Sequence, residues 1–69
     1  MPGIQIIVNG EPRSVGADST AAELVAELGL EGRRIAMEVN EEILPRSRFA
    51  EYRFSPGDRV EVVQAIGGD

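Results

Sequence analysis

The sequence predicts an α+β fold with one small mixed sheet and one main helix, and three observations carry that prediction. Apolar residues alternate with a period of two near both ends of the chain, over Ile4–Val8 and again over Val60–Ile66. Between them, Thr20-Ala21-Ala22-Glu23 has the spacing of a capping box and opens a single stretch of helical periodicity. An Asn9-Gly10 pair directly follows the first apolar run. At 69 residues the chain has room for one domain and one core. A domain of that size buries about 60% of its unfolded surface, which leaves little material for a deep substrate cleft.

The first strand places Ile4, Ile6 and Val8 on one face. Asn9-Gly10 predicts a type I′ turn, because both central residues need positive φ and these two residue types tolerate it. Glu11–Val15 is the returning strand; Pro12 cannot donate to a ladder, so this strand belongs at an edge. Residues 16–19 form a polar connection to the helix. Ala21, Leu24, Val25 and Leu28 share one helical face, and Gly29 is placed to end the helix in the left-handed conformation. Ile35, Met37 and Val39 alternate with Ala36, Glu38 and Asn40 in a third strand, and Asn40-Glu41-Glu42 turns into a short segment, Ile43-Leu44, stopped by Pro45. Residues 46–54 hold the only aromatics, Phe49, Tyr52 and Phe54, without clear periodicity; they are expected in the core and its rim. Ser55-Pro56-Gly57-Asp58 is a turn with a pre-set proline φ and glycine freedom after it. The last strand puts Val60, Val62, Gln64 and Ile66 on one face and Glu61, Val63 and Ala65 on the other. A hairpin, a crossover helix and a final strand lying parallel beside the first make a β-grasp: a mixed four- to five-stranded sheet with the helix on one face. Parallel pairing of the first and last strands would bury both in the middle of the sheet, as their apolarity requires. The domain is expected over residues 1–66, with 67–69 as a flexible Gly-Gly tail carrying an extra Asp.

Composition excludes much chemistry. Cysteine, histidine and lysine are absent, all seven basic residues being arginine. Thiol nucleophiles, zinc–thiolate sites, imidazole bases and Schiff bases are therefore unavailable. Ser14, Ser19, Ser47 and Ser55 have no histidine to activate them. Glu23, Glu27, Glu31, Glu38, Glu41, Glu42, Glu51, Asp58 and Glu61 show no metal-loop or paired-acid spacing and read as a solvated acidic surface. Arg46, Arg48 and Arg59 are expected to pair with nearby glutamates rather than with a partner's acids. A net charge of −5 disfavours nucleic acid, where counterion release rewards clustered positive charge. No apolar stretch approaches the ~20 residues that cross a bilayer, and Met1-Pro2-Gly3 has no signal-peptide character, so a cytoplasmic protein is expected. By itself the chain is expected not to be an enzyme and to bind no metal or cofactor.

The tail is the remaining feature. Gly67 and Gly68 directly follow a strand with core character, so the base of the tail is held while its tip can thread a narrow slot. That points to a main-chain carboxylate presented to a partner enzyme. Val39-Asn40, Leu44-Pro45-Arg46-Ser47, Gly57-Asp58-Arg59-Val60-Glu61-Val62-Val63 and Ile66-Gly67-Gly68, together with Ile6-Ile7-Val8-Asn9-Gly10-Glu11 and Thr20-Ala21-Ala22-Glu23-Leu24, resemble the ThiS family, the sulfur carrier proteins of thiazole (thiamine) biosynthesis. The resemblance runs from about Ile4 to Gly68. It implies a ubiquitin-like β-grasp whose terminal glycine carboxylate, on Gly68, is adenylated by an E1-like adenylyltransferase (ThiF-like) with ATP and Mg. Sulfur from a persulfide donor then replaces AMP, and the resulting thiocarboxylate serves a thiazole synthase (ThiG-like).

The family pattern ends in glycine, whereas Asp69 follows here. An adenylated Asp69 would be attacked by its own side-chain carboxylate, closing a five-membered anhydride, and such intramolecular attack is strongly favoured. Removal of Asp69 by a trimming protease is therefore expected before use. Ile7, Ile43, Val63 and Ala65 are candidates for an apolar patch that docks the activating enzyme, the alternative being that loops or the helix cover them. Two other functions stay open on the sequence: the small subunit of a molybdopterin synthase, also a Gly-Gly carrier, and a ubiquitin-like modifier or docking module without sulfur chemistry.

Overall fold

A computed structural model describes residues 3–64. The elements run β1 (Gly3–Val8), β2 (Glu11–Gly16), α1 (Ala21–Glu27), β3 (Ile35–Val39), β4 (Glu42–Leu44), a 3₁₀ turn (Arg46–Arg48) and β5 (Arg59–Gln64). They form one five-stranded sheet in the order β2-β1-β5-β3-β4. β1 and β5 are parallel neighbours, with Ile7 opposite Arg59 and Val8 opposite Val60. The other pairings, β1 with β2, β5 with β3 and β3 with β4, are antiparallel. This is the β-grasp, and Pro12 does lie on an edge strand, opposite Ile7.

Local chemistry sets the element ends. Asn9 (φ 51°) and Gly10 (φ 86°) make the two-residue turn between β1 and β2. Thr20 accepts from the Glu23 amide while the Glu23 carboxylate accepts from the Thr20 amide, a complete capping box. At the other end Gly29 (φ 75°) donates to the Ala26 carbonyl and Leu30 to the Val25 carbonyl. That pair of bonds is a Schellman stop, which only a residue at ease with positive φ supports cheaply.

One sheet face and α1 enclose the core. Ile6 and Val8 from β1, Met37 and Val39 from β3, and Val60 and Val62 from β5 meet Ala21, Leu24 and Val25 of the helix, with Val15, Phe49 and Phe54 closing the sides. Ile6, Leu24, Met37 and Val60 are fully buried, each worth about 1.5–3 kcal/mol relative to exposure. Phe49 and Phe54 are thus core, and Tyr52 packs edge-on against Phe54 at a ring separation of 5.4 Å. No helix among the described residues is long and apolar enough to cross a membrane.

Candidate functional site

The chain enters its last segment through β5, held between β1 and β3 at the centre of the sheet. Its inward face begins in the core at Val60 and Val62 and becomes exposed at Gln64, which pairs with Ile35 at the start of β3. β5 also outruns the hairpin: parallel pairing with β1 covers only Arg59 and Val60, because β1 ends at Val8. Ala65, Gly67, Gly68 and Asp69 lie outside the described residues.

A side chain takes over where β1 stops. The Asn9 amide N–H donates to the Val60 carbonyl at 2.8 Å, continuing the parallel ladder by one bond. The backbone then turns away, and the Asn9 carboxamide substitutes for the missing strand. Its Oδ1 accepts from the Val62 amide at 2.9 Å, and its Nδ2 donates to the Val62 carbonyl at 3.3 Å. Both main-chain groups of Val62 that face the hairpin are thereby satisfied. Asn9 has two roles: its tolerance of positive φ makes the turn, and its amide clasps the strand that leads to the glycines.

A second polar cluster fixes the start of β5. Asp58 is only 7% exposed and is the buried polar residue of the described core. Its carboxylate accepts from the Tyr52 hydroxyl at 2.7 Å, the Ser55 amide at 2.9 Å and the Asn40 side-chain amide at 3.1 Å. Asn40 Oδ1 in turn accepts from the Arg59 amide at 3.0 Å. Three donors on one carboxylate compensate its removal from water. The Tyr52 hydroxyl is pushed up to about 12, first by burial and then by its hydrogen bond to Asp58 and the charge there. It stays a neutral donor at any ordinary pH. The acidic-surface reading of Asp58 is corrected accordingly; a tyrosine six residues away and an asparagine eighteen residues away converge on it only in the folded chain.

The sheet face opposite the helix carries the candidate docking residues. Ile43 is 67% exposed and Val63 60%, so neither the helix nor a loop covers them. Register sets Val63 beside Ala36, and Ile43 beside Glu38 two residues further along β3, so Ile43, Ala36 and Val63 gather on one side of that face. Ile7 is half-buried beside Arg59, four positions back along β5 from Val63, or about 13 Å away. Ile43 and Val63 thus stand two strands and two residues apart, roughly 12 Å, with Ala36 between them, and Ile7 lies off the far end of β5 from Val63. Glu38 and Glu61 stand directly opposite each other beside the patch.

The arginines also depart from expectation. The only salt bridge among the described residues joins Arg13 to Glu27 at 3.5 Å. Arg46, Arg48 and Arg59 pair with no glutamate there, and Arg46 donates instead to the Arg33 carbonyl at 2.6 Å. No group of three His, Cys, Asp or Glu side chains among the described residues could hold a metal ion.

Fold and site together define a ubiquitin-like β-grasp domain that clamps its last strand at the sheet centre by two separate side-chain networks. The chain belongs to the ThiS family, which it matches over residues 6–68, a span that includes both tail glycines. It is 40% identical over 65 residues to a thiazole synthase of Paramagnetospirillum magneticum, covering 94% of this chain and 20% of that protein. It thus spans about one-fifth of the length of that relative. To the sulfur carrier protein ThiS of Escherichia coli it is 29% identical, covering 94% of this chain and 98% of that one. The crystal structure of a thiamine biosynthesis protein (ThiS) from Geobacter metallireducens superposes with a TM-score of 0.80 at 29% identity, covering 96% of this chain and 100% of that chain.

Proposed function

We propose that this chain is a sulfur carrier for thiamine biosynthesis, whose reacting atom is the main-chain carboxyl carbon of Gly68. The observation that supports it most is the match to the ThiS family through residue 68, on a chain whose preceding strand is clasped by Asn9. Gly68 reacts once Asp69, which follows it, has been removed. A carboxylate is a poor electrophile, so an E1-like adenylyltransferase joins it to the α-phosphorus of ATP and pyrophosphate leaves. Mg and basic groups of that enzyme screen the two anions as they meet. The terminal sulfur of a persulfide then attacks the acyl carbon and AMP departs. Reduction of the acyl disulfide by a thiol leaves the thiocarboxylate, which yields its sulfur to a thiazole synthase.

The carrier contributes reach, fit and an unhindered carbonyl, and does no catalysis of its own. With neither cysteine, histidine nor lysine it offers no thiol, imidazole or amine that would compete for the activated acyl group. The thiazole synthase relative supports the assignment of that partner, since it contains a stretch similar to nearly all of this chain. Ile43 and Val63, with Ala36, offer the activating enzyme an apolar contact beside the tail strand.

The test is reconstitution. A chain ending at Gly68 is incubated with the E1-like enzyme, ATP, Mg and a persulfide donor, and the intact mass is read. Replacement of one oxygen by sulfur at the terminus is the expected result. Isopeptide linkage to other proteins would identify a modifier instead, and an unchanged chain would leave only a docking module.

A further inference from the structure

We propose that Arg33, Arg34 and Arg46 form a basic docking surface at the root of the tail, and that it seats on acidic residues rimming the partner pocket that receives the two glycines. This rests on the carrier reading above and adds the surface that steers the tail into place. The chain carries a net charge of −5, yet three arginines gather where β3 begins and β5 ends. Gln64, the last described residue of β5, pairs with Ile35, and Arg34 immediately precedes that residue. The Arg46 guanidinium is drawn to the same end of the sheet by its 2.6 Å bond to the Arg33 carbonyl. All three side chains are exposed.

Nothing on the described surface neutralises them. The one salt bridge among the described residues uses Arg13 and Glu27. Glu31 shares the loop with Arg33 and forms no ion pair. Glu38 and Glu61 lie three positions inward from the Ile35–Gln64 pair, about 10 Å along the strands. Exposed arginines left without acids in an acidic protein are suited to an acid supplied from outside, and such rim charges mainly steer encounter.

Reach decides between two anionic occupants, the nucleotide phosphates and protein carboxylates. From Gln64 to Gly68 an extended chain spans about 13 Å, whereas an arginine side chain spans roughly 7 Å from its Cα. Arg34 lies one residue beyond the Ile35–Gln64 pair on the tail side, so its guanidinium reaches about 10 Å along a straight tail, short of the reacting carbon at about 13 Å. The occupant is the acidic rim of the pocket.

The experiment measures binding of the chain ending at Gly68 to the E1-like adenylyltransferase of the same cell by calorimetry, at several salt concentrations. The paired variant Arg33→Gln/Arg34→Gln and the single variant Arg46→Gln are compared with Arg53→Gln, an exposed arginine opposite Thr20 at the far end of the domain. The paired variant is expected to raise Kd about tenfold at low salt, with the difference shrinking to about twofold at high salt, while Arg53→Gln stays near wild type. Equal Kd values and equal salt slopes for all variants would overturn the docking surface alone. A change confined to the apparent KM for ATP, with carrier affinity unaltered, would also overturn it, since the groups would then be reaching phosphate. Absence of binding by the wild-type chain would bring down the carrier reading and this surface together.

Discussion

Removing the Asn9 carboxamide should loosen the strand that carries the tail, and its cost can be worked from the geometry. The side chain makes a 2.9 Å bond from the Val62 amide and a longer 3.3 Å bond to the Val62 carbonyl. Net values near 1 kcal/mol for the first and about 0.5 kcal/mol for the second follow from mutational averages. Asn9→Gly keeps a residue at ease with φ 51° and deletes both bonds, so a loss of about 1–2 kcal/mol is expected. Asn9→Ala deletes the same bonds and replaces a residue whose polar side chain eases the left-handed region with one that does not, so it should cost more than Asn9→Gly. For a domain of this size each kcal/mol lowers Tm by about 4–8 °C, so the two variants should separate clearly from wild type, Asn9→Ala by more than Asn9→Gly. Urea titration gives the stabilities, and hydrogen exchange at the Val62 amide localises the effect. If Asn9→Gly matched wild type in midpoint and kept the Val62 amide protected, the clasp would carry no weight and the reasoning would fail.

Three further outcomes follow from the same structure. Glu41 holds φ 71° in the turn between β3 and β4 and is exposed, so Glu41→Gly should gain about 0.5–1 kcal/mol in urea titration. Tyr52 has a hydroxyl pushed up to about 12 against about 10 in the unfolded chain. Its contribution is intact below pH of about 10 and is lost as pH rises through about 12; with no lysine or cysteine and only one tyrosine in the chain, no other ordinary side chain titrates in that window. Tyr52→Phe should cost about 1.5–3 kcal/mol at neutral pH and remove that alkaline loss, as measured by unfolding across pH. Val63→Asp and Ile43→Asp alter side chains that are mostly in water, so thermal melts should shift by less than about 0.5 kcal/mol while affinity for the activating enzyme drops.

What could be read from the sequence was whatever local chemistry decides. Asn9-Gly10, the Thr20–Glu23 box, Gly29 and the Ser55–Asp58 turn each act within a few residues, and each took the conformation its residues prefer. The parallel pairing of β1 and β5 followed from two apolar runs that both need a central place. The features that escaped depend on distance along the chain. Asn9 meets Val62 across 53 residues, and nothing near Asn9 marks its carboxamide as a substitute strand. Asp58 looked like one more surface acid because Tyr52 and Asn40 come to it only through the fold. The second positive-φ turn carries Glu41, a residue with no preference for that conformation, so its geometry is imposed by the β3–β4 pairing. The 3₁₀ turn over Arg46–Arg48 has no periodic signature at all.

The most direct measurement takes the protein from its native cell, grown without thiamine, and reads its intact mass and C-terminal fragments. A population ending at Gly68 with sulfur in place of one carboxyl oxygen is the expected result. Sulfur found on a chain that still carries Asp69, or no sulfur at the terminus under conditions where thiamine is being made, would contradict the carrier mechanism.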